Sequence, residues 1–220
     1  MYGAEAVLEG YPSETLLLSG SVFTNQYQDT IGYQLVGVDQ LATAYDAINF
    51  GAEVTGRLHQ PIEDLGFVDA QVSVSLQNTI TDTDAVAAAD PFAIGGGKIF
   101  PDNESVPTAF SYERLGLVLE SYRLAVTVEH RHVGQRTPSQ SNLLQCTIPN
   151  MNDPCYQLPA FDLLDLSLSS VPIPLGDEIS LRGLVKVSNL LDTEFIEVGF
   201  NGVDVPGLGR TLWVRLDLLL

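Results

Sequence analysis

The chain has 220 residues, 45% of them hydrophobic and 17% charged, a balance too apolar for a disordered polymer. Its formal net charge of −18 comes from 28 acidic and 10 basic residues, which speaks against nucleic acid as a partner, because phosphate binding needs clustered Lys and Arg. No apolar run approaches the roughly 18 residues of a spanning helix. The opening MYGAEAVLEGYPSE has neither a basic n-region nor an apolar h-region, so a secretion signal is expected upstream of Met1.

Successive side chains of a β-strand point to opposite faces, so strict alternation of apolar and polar residues marks a two-sided strand. In chain order, residues 2–9 and 15–27 (Leu16, Leu18, Val22) are expected as the first two strands, and 51–59 (Ala52, Val54, Leu58) as the third. Val68, Ala70, Val72, Val74 and Leu76 then oppose Asp69, Gln71, Ser73 and Ser75. Residues 111–120 carry Leu115, Leu117 and Leu119, and Leu124, Val126 and Val128 oppose Arg123, Thr127 and Glu129. Leu164, Leu166 and Leu168 oppose Asp165, Ser167 and Ser169, and Ile179, Leu181, Val185 and Val187 oppose Ser180, Arg182 and Lys186. The ninth strand alternates Leu212, Val214, Leu216, Leu218 and Leu220 with Trp213, Arg215 and Asp217.

Most of these segments run longer than the usual globular strand of about 5–6 residues and match the about 9–11 residues of a membrane-crossing strand. The connections alternate as well. Short ones at 10–14, 60–66, Ser121 and 172–177 take turns with long ones at 28–50, 80–110, 134–160 and 191–209. The expected fold is therefore all-β, an antiparallel up-and-down transmembrane β-barrel segment of about nine long strands with short periplasmic turns and long extracellular loops. Apolar rows would face outer-membrane lipid. Arg114, Arg123, Arg182, Lys186 and Arg215 would line the lumen. The long segments carry 13 Asp or Glu against only Lys98 and Arg136, which would make the outer rim acidic.

The stretch VKVSNLLDTEFIEVGFNGVDVPGLGRTLWVRLDLLL resembles the C-terminal end of a TonB-dependent outer-membrane receptor. The matching positions are Asn189, Leu190, Leu191 and Asp192, then Pro206, Gly207 and Arg210, followed by the strand 212–220. The opening YGAEAVLEGYPSETLLLSGSVFTNQY resembles a hairpin of the same barrel. That family has a barrel of 22 strands with a plug. The resemblance implies that residues 1–220 are the C-terminal part of such a barrel, with the plug domain and N-terminal strands absent. It further implies import across the outer membrane of a Gram-negative bacterium of a scarce solute such as a ferric siderophore, cobalamin or an oligosaccharide. TonB would act through the missing N-terminal region, and the C-terminus would be periplasmic. Two other readings fit the periodicity: a porin-like channel, and a soluble all-β binding module whose leucine faces meet in a core.

Cys146 and Cys155 lie eight residues apart within a long segment and are expected to form a disulfide, since a metal site needs more ligands. His130 and His132 continue the apolar row of Val126 and Val128, and we take them as outer-rim interface residues rather than metal ligands. AIGGGKIF (93–100) lacks the spacing of a phosphate loop, and Asp82 and Asp84 lack the remainder of a calcium loop. Three histidines and no Ser, His and Asp grouping leave no catalytic residue to nominate. No enzyme activity, cofactor or metal is expected. Tyr33, Tyr45, Phe92, Phe100 and Tyr156 are candidate solute contacts without a ranking among them.

Overall fold

The computed structural model describes residues 1–36, 39–82, 108–136, 157–176, 179–197 and 204–219. The strands are β1 (Tyr2–Ser13), β2 (Leu16–Val36), β3 (Asp39–Ile62), β4 (Gly66–Asp82), β5 (Thr108–Leu119), β6 (Leu124–Val133), β7 (Phe161–Ser170), β8 (Ile173–Pro174), β9 (Ser180–Ser188), β10 (Ile196–Glu197), β11 (Val205–Pro206) and β12 (Thr211–Leu219). The main sheet runs in the order β1-β2-β3-β4-β5-β6-β7-β9-β12, with β8 paired to β9 and β10 with β11 forming a separate pair. Every pairing among the described residues is antiparallel. The nine long strands are the nine expected from alternation. A sheet of this kind meets backbone donors and acceptors across neighbouring strands, and among the described residues its two edge strands are β1 and β12.

Cross-strand register decides whether separate alternating segments build one apolar face, because a slip of one residue would move a strand's whole apolar set to the other side. Here the sets align. Leu16 pairs with Leu58, Leu58 with Ala70, Ala70 with Leu115, Leu115 with Val128, Val128 with Leu166, Leu166 with Val187, and Val187 with Leu212. A parallel row runs Val68, Leu117, Val126, Leu168, Val185 and Val214. We define the face bearing these rows as outer. On the opposite, inner face, Arg57, Gln71, Arg114, Glu129 and Asp165 form an equally continuous polar row.

Among the described residues no second layer covers the outer rows: Leu216 is 72% exposed, Leu212 64% and Val54 62%. Burying a Leu or Val side chain is worth about 1.5–3 kcal/mol. Those three left in water would forgo about 4.5–9 kcal/mol, comparable to the whole stability of a domain. A ten-residue strand at about 3.3 Å per residue, tilted near 45°, rises roughly 23 Å, close to the apolar band of an outer-membrane barrel. The strands are also staggered. Leu16 at the start of β2 pairs with Leu58, while β3 continues to Ile62, and a stagger of this kind accompanies tilt in barrels.

Local chemistry ends the strands on the short-turn side. Asp64 takes a left-handed φ of 58°, and Gly66 has a φ of 143° that a side chain would strain. A 3₁₀ turn, Glu120–Tyr122, ends at Arg123 with φ 52°. The two turns are tied together by Glu120 N–H donating to Leu65 O (3.0 Å) and Ser121 Oγ to Asp64 O (3.1 Å). Arg123 therefore belongs to a turn and does not line the lumen as expected.

The segment 28–50, expected as a long loop, is instead mostly paired strand. β2 and β3 stay in register from Leu16↔Leu58 up to Val36↔Asp39, with a bulge between Tyr27 and Thr30. Gly51 is required there, because a Cβ would overlap Leu76 O and the Phe23 ring that lies over it. On the inner face near the opposite end of β5–β7, Val133, Phe161 and Leu163 form a small buried core with Phe110 and Phe195 packed on it.

Candidate functional site

The inner face is a lattice of opposite charges. Lys186 Nζ donates to Glu129 Oε2 at 2.8 Å and to Asp165 Oδ2 at 2.9 Å. Tyr112 OH donates to Glu129 Oε1 at 3.0 Å, and Arg114 Nε lies 3.8 Å from the same oxygen. Further along, Arg182 and Arg215 both reach Asp217, at 3.0 and 2.6 Å. Of the arginines and lysine expected on this surface, Arg114, Arg182, Lys186 and Arg215 are there. Each is neutralised by a carboxylate on its own or an adjoining strand.

Five of the seven motif positions, Asn189, Asp192, Pro206, Gly207 and Arg210, converge at the end of β9. Asn189, buried at 4% exposure and at φ 52°, uses Nδ2 to bond Thr193 O (2.9 Å) and Leu208 O (3.2 Å), while Oδ1 accepts from Thr193 N–H (2.8 Å). Its own N–H donates to Asp165 Oδ1 at 2.9 Å, which fastens the turn to the charge lattice. Asp192, at φ 55°, accepts from Arg210 N–H at 2.7 Å, so one carboxylate joins the end of β9 to the start of β12. Pro206 pairs with Ile196, and Gly207 N–H donates to Phe195 O at 2.8 Å. A Cβ at Gly207 would overlap the Phe195 ring. Of the other two, Leu190 bonds instead to β7 through its N–H and Leu164 O (2.6 Å), and Leu191 is exposed.

His130 and His132 sit on the outer face, continuing the row Leu115↔Val128 through Glu113↔His130. His130 Nδ1 is 2.6 Å from Glu113 Oε2 and its Nε2 is 3.2 Å from Asp162 Oδ1, and His132 Nδ1 is 2.8 Å from that same oxygen. With both ring nitrogens of His130 engaged by carboxylates, neither is open to a metal. Among the described residues no three His, Cys, Asp or Glu side chains are placed to hold one. Glu129, next to His130 in the chain, faces the other way. Cys146, Cys155, Phe92, Phe100, Tyr156, Asp84 and AIGGGKIF (93–100) lie outside the described residues, as do the side chains of Tyr33, Tyr45 and Asp82.

The sequence did not single out Arg136, Phe161, Phe195 and Glu197 as a group. Arg136 N–H and C=O bond to Leu158. Its guanidinium lies 4.9 Å over the Phe161 ring, donates NH1 to Glu197 Oε2 (2.9 Å) and NH2 to Ile196 O (2.6 Å). These residues come from three separate parts of the chain. The one available signal was Arg136 as a rare cation in an acid-rich segment.

No protein-family model and no curated protein sequence matches the chain. Solved structures do match. The FrpB iron transporter from Neisseria meningitidis (F3-3 variant) aligns over 97% of this chain with a TM-score of 0.64 and 16% identity, and the copper transporter OprC over 99% with 0.63 and 17%. The outer membrane transporter YddB from Escherichia coli aligns over 99% with 0.63 and 12% identity. The class that this fold defines is the up-and-down sheet of an outer-membrane β-barrel. Within it, the chain shares the fold of part of the barrel of these three transporters, and it spans 29–32% of their length.

Proposed function

We propose that residues 1–220 form the C-terminal part of the wall of an outer-membrane TonB-dependent transporter that imports a scarce solute. Iron and copper transporters among the structural neighbours support a metal-bearing cargo such as a ferric siderophore or cobalamin over an oligosaccharide. The observation that carries the reading is the unbroken apolar row from Leu16 to Leu212 on one face, backed by the polar row from Arg57 to Asp165 on the other. Lipid is the solvent such an outer face needs, and a water-filled lumen or a plug suits the inner one. The free edges of β1 and β12 would pair with strands supplied from outside these residues, because the bilayer core does not tolerate open edges. TonB would engage a region beyond this chain.

Fractionation tests the placement. The chain produced with an export signal in a Gram-negative host should co-sediment with outer membrane and leave it only in detergent. Recovery as a soluble monomer would show that the outer rows meet one another in a core. Transport itself is tested in the receptor that contains this chain, where solute uptake should vanish on deletion of TonB. Uptake that persists would point to a passive channel.

A further inference from the structure

β1 is an edge strand of the sheet, and every residue from Tyr2 to Ser13 is exposed. Its outer positions, Ala4, Ala6 and Leu8, extend the apolar side through Ala6↔Val22. Its inner positions carry Glu5 and Glu9, which lie across from Phe23 and Ser19 of β2. Further round the same face, Arg114, Arg182, Lys186 and Arg215 each have a carboxylate. No Lys or Arg among the described residues pairs with Glu5 or Glu9. Beside Glu5 lies a hollow lined by Gly3, Ala4, Glu5, Phe23 and Asn25. Gly3 leaves the room for it, since a Cβ there would overlap Asn25 Oδ1. A carboxylate, an amide oxygen and an aromatic ring around one hollow suit a guanidinium, which donates to oxygens and stacks on rings.

Direction narrows the partner further. Neighbouring long strands all run antiparallel, so along the order β1-β2-β3-β4-β5-β6-β7-β9-β12 the first and last strands point the same way. A second copy inserted in the same orientation would therefore bring its β12 to β1 in parallel, and with an Arg215 already held by Asp217. We propose that the free edge of β1 takes an antiparallel strand of different sequence, from the rest of the barrel, with apolar residues on the outer side, a cation opposite Glu9, and an Arg opposite Glu5 that enters the hollow between Glu5, Phe23 and Asn25. This rests on the reading of the chain as one part of a larger barrel. Backbone pairing supplies the affinity, as for any strand added to a sheet edge, and the two carboxylates select among apolar strands.

Strand peptides offered to the chain in detergent test this. One peptide of about ten residues alternates Leu with Ser and carries two Arg at the spacing of Glu5 and Glu9, and its twins carry Glu or Lys there. The Arg peptide should bind roughly tenfold tighter than the Glu twin at low ionic strength, because two opposite-charge pairs replace two like-charge ones, and salt should narrow the gap. The Lys twin should fall between them. Glu5→Gln with Glu9→Gln should equalise the affinities, and Glu5→Lys with Glu9→Lys should reverse the preference; both sites are exposed, so the sheet does not depend on them. In a chain carrying Cys146→Ser, Cys155→Ser and Tyr2→Cys, a peptide with a C-terminal Cys should crosslink and one with an N-terminal Cys should not, as antiparallel pairing requires. Equal binding of the Arg and Glu peptides, selectivity that survives the Gln pair, or crosslinking through the N-terminal Cys would each overturn the proposal. A Lys peptide as tight as the Arg one would remove the hollow as the seat of an Arg. Dimers of the chain that no peptide displaces would overturn it too, since the edge would then belong to a second copy. A wall misassigned to the membrane would fail the fractionation test while leaving these affinities readable.

Discussion

Lys186 sits between Glu129 and Asp165, two carboxylates paired directly across β6 and β7 that would repel each other without it. Replacing it by Met should destabilise the chain by about 1–3 kcal/mol, the penalty of leaving half-buried charged acceptors unmet. The midpoint of urea unfolding in detergent reads this out, and adding Glu129→Gln should recover part of the loss. Asn189→Ala removes three hydrogen bonds at a left-handed residue and should cost about 2–3 kcal/mol, with exchange at Thr193 rising first. Cys146 and Cys155 remain a proposed disulfide. Two free thiols appearing only after reduction would support it, and ready alkylation of both in the oxidised protein would refute it. Closing so short a loop is worth about 2–3 kcal/mol in the chain-entropy account.

At the scale of the strand, β12 offers the sharpest contrast because its two faces meet different solvents. Val214→Arg places a cation among the outer rows and should cost about 2–4 kcal/mol if that face meets the bilayer midplane. Arg215→Lys, one residue away on the inner face, should cost under about 1 kcal/mol, since the exposed pair with Asp217 contributes little. Folding yield into lipid vesicles, read by heat-dependent gel mobility, separates the two. Equal effects would mean that both faces see water. The β2–β3 hairpin shows a different lesson about elements. Residues 28–50 carry enough Tyr, Thr, Ile and Val to pair, and a backbone that pairs meets its own hydrogen bonds, so a segment counted as loop became taller strand.

For the whole molecule, the free edges of β1 and β12 set what the chain can do. A sheet with two open edges cannot seal a pore, so the chain alone in a planar bilayer should give no stable unitary conductance. Steady single-channel steps from the isolated chain would mean that its edges close on each other or on a second copy. The acid-rich rim expected from composition is also modified by the fold. Asp192 and Glu197, counted among its charges, are engaged by Arg210 and Arg136.

Alternation at every second position was enough, without any coordinates, to name nine strands, their two faces and the short turns between them, because side-chain direction along a strand is a purely local property. The turn built on Asn189, Asp192, Pro206, Gly207 and Arg210 was visible only through the resemblance of those residues to a known family's C-terminal end, not through alternation. Register was not local. That Leu58 meets Ala70, and Ala70 meets Leu115, depends on where each turn releases its strand, and only the paired sheet shows that all the apolar rows share one side. The grouping of Arg136, Phe161, Phe195 and Glu197 was further out of reach. No spacing links residues 136, 161 and 195, and they become neighbours because the sheet brings β6 beside β7 and the β9–β12 connection then folds inward onto both.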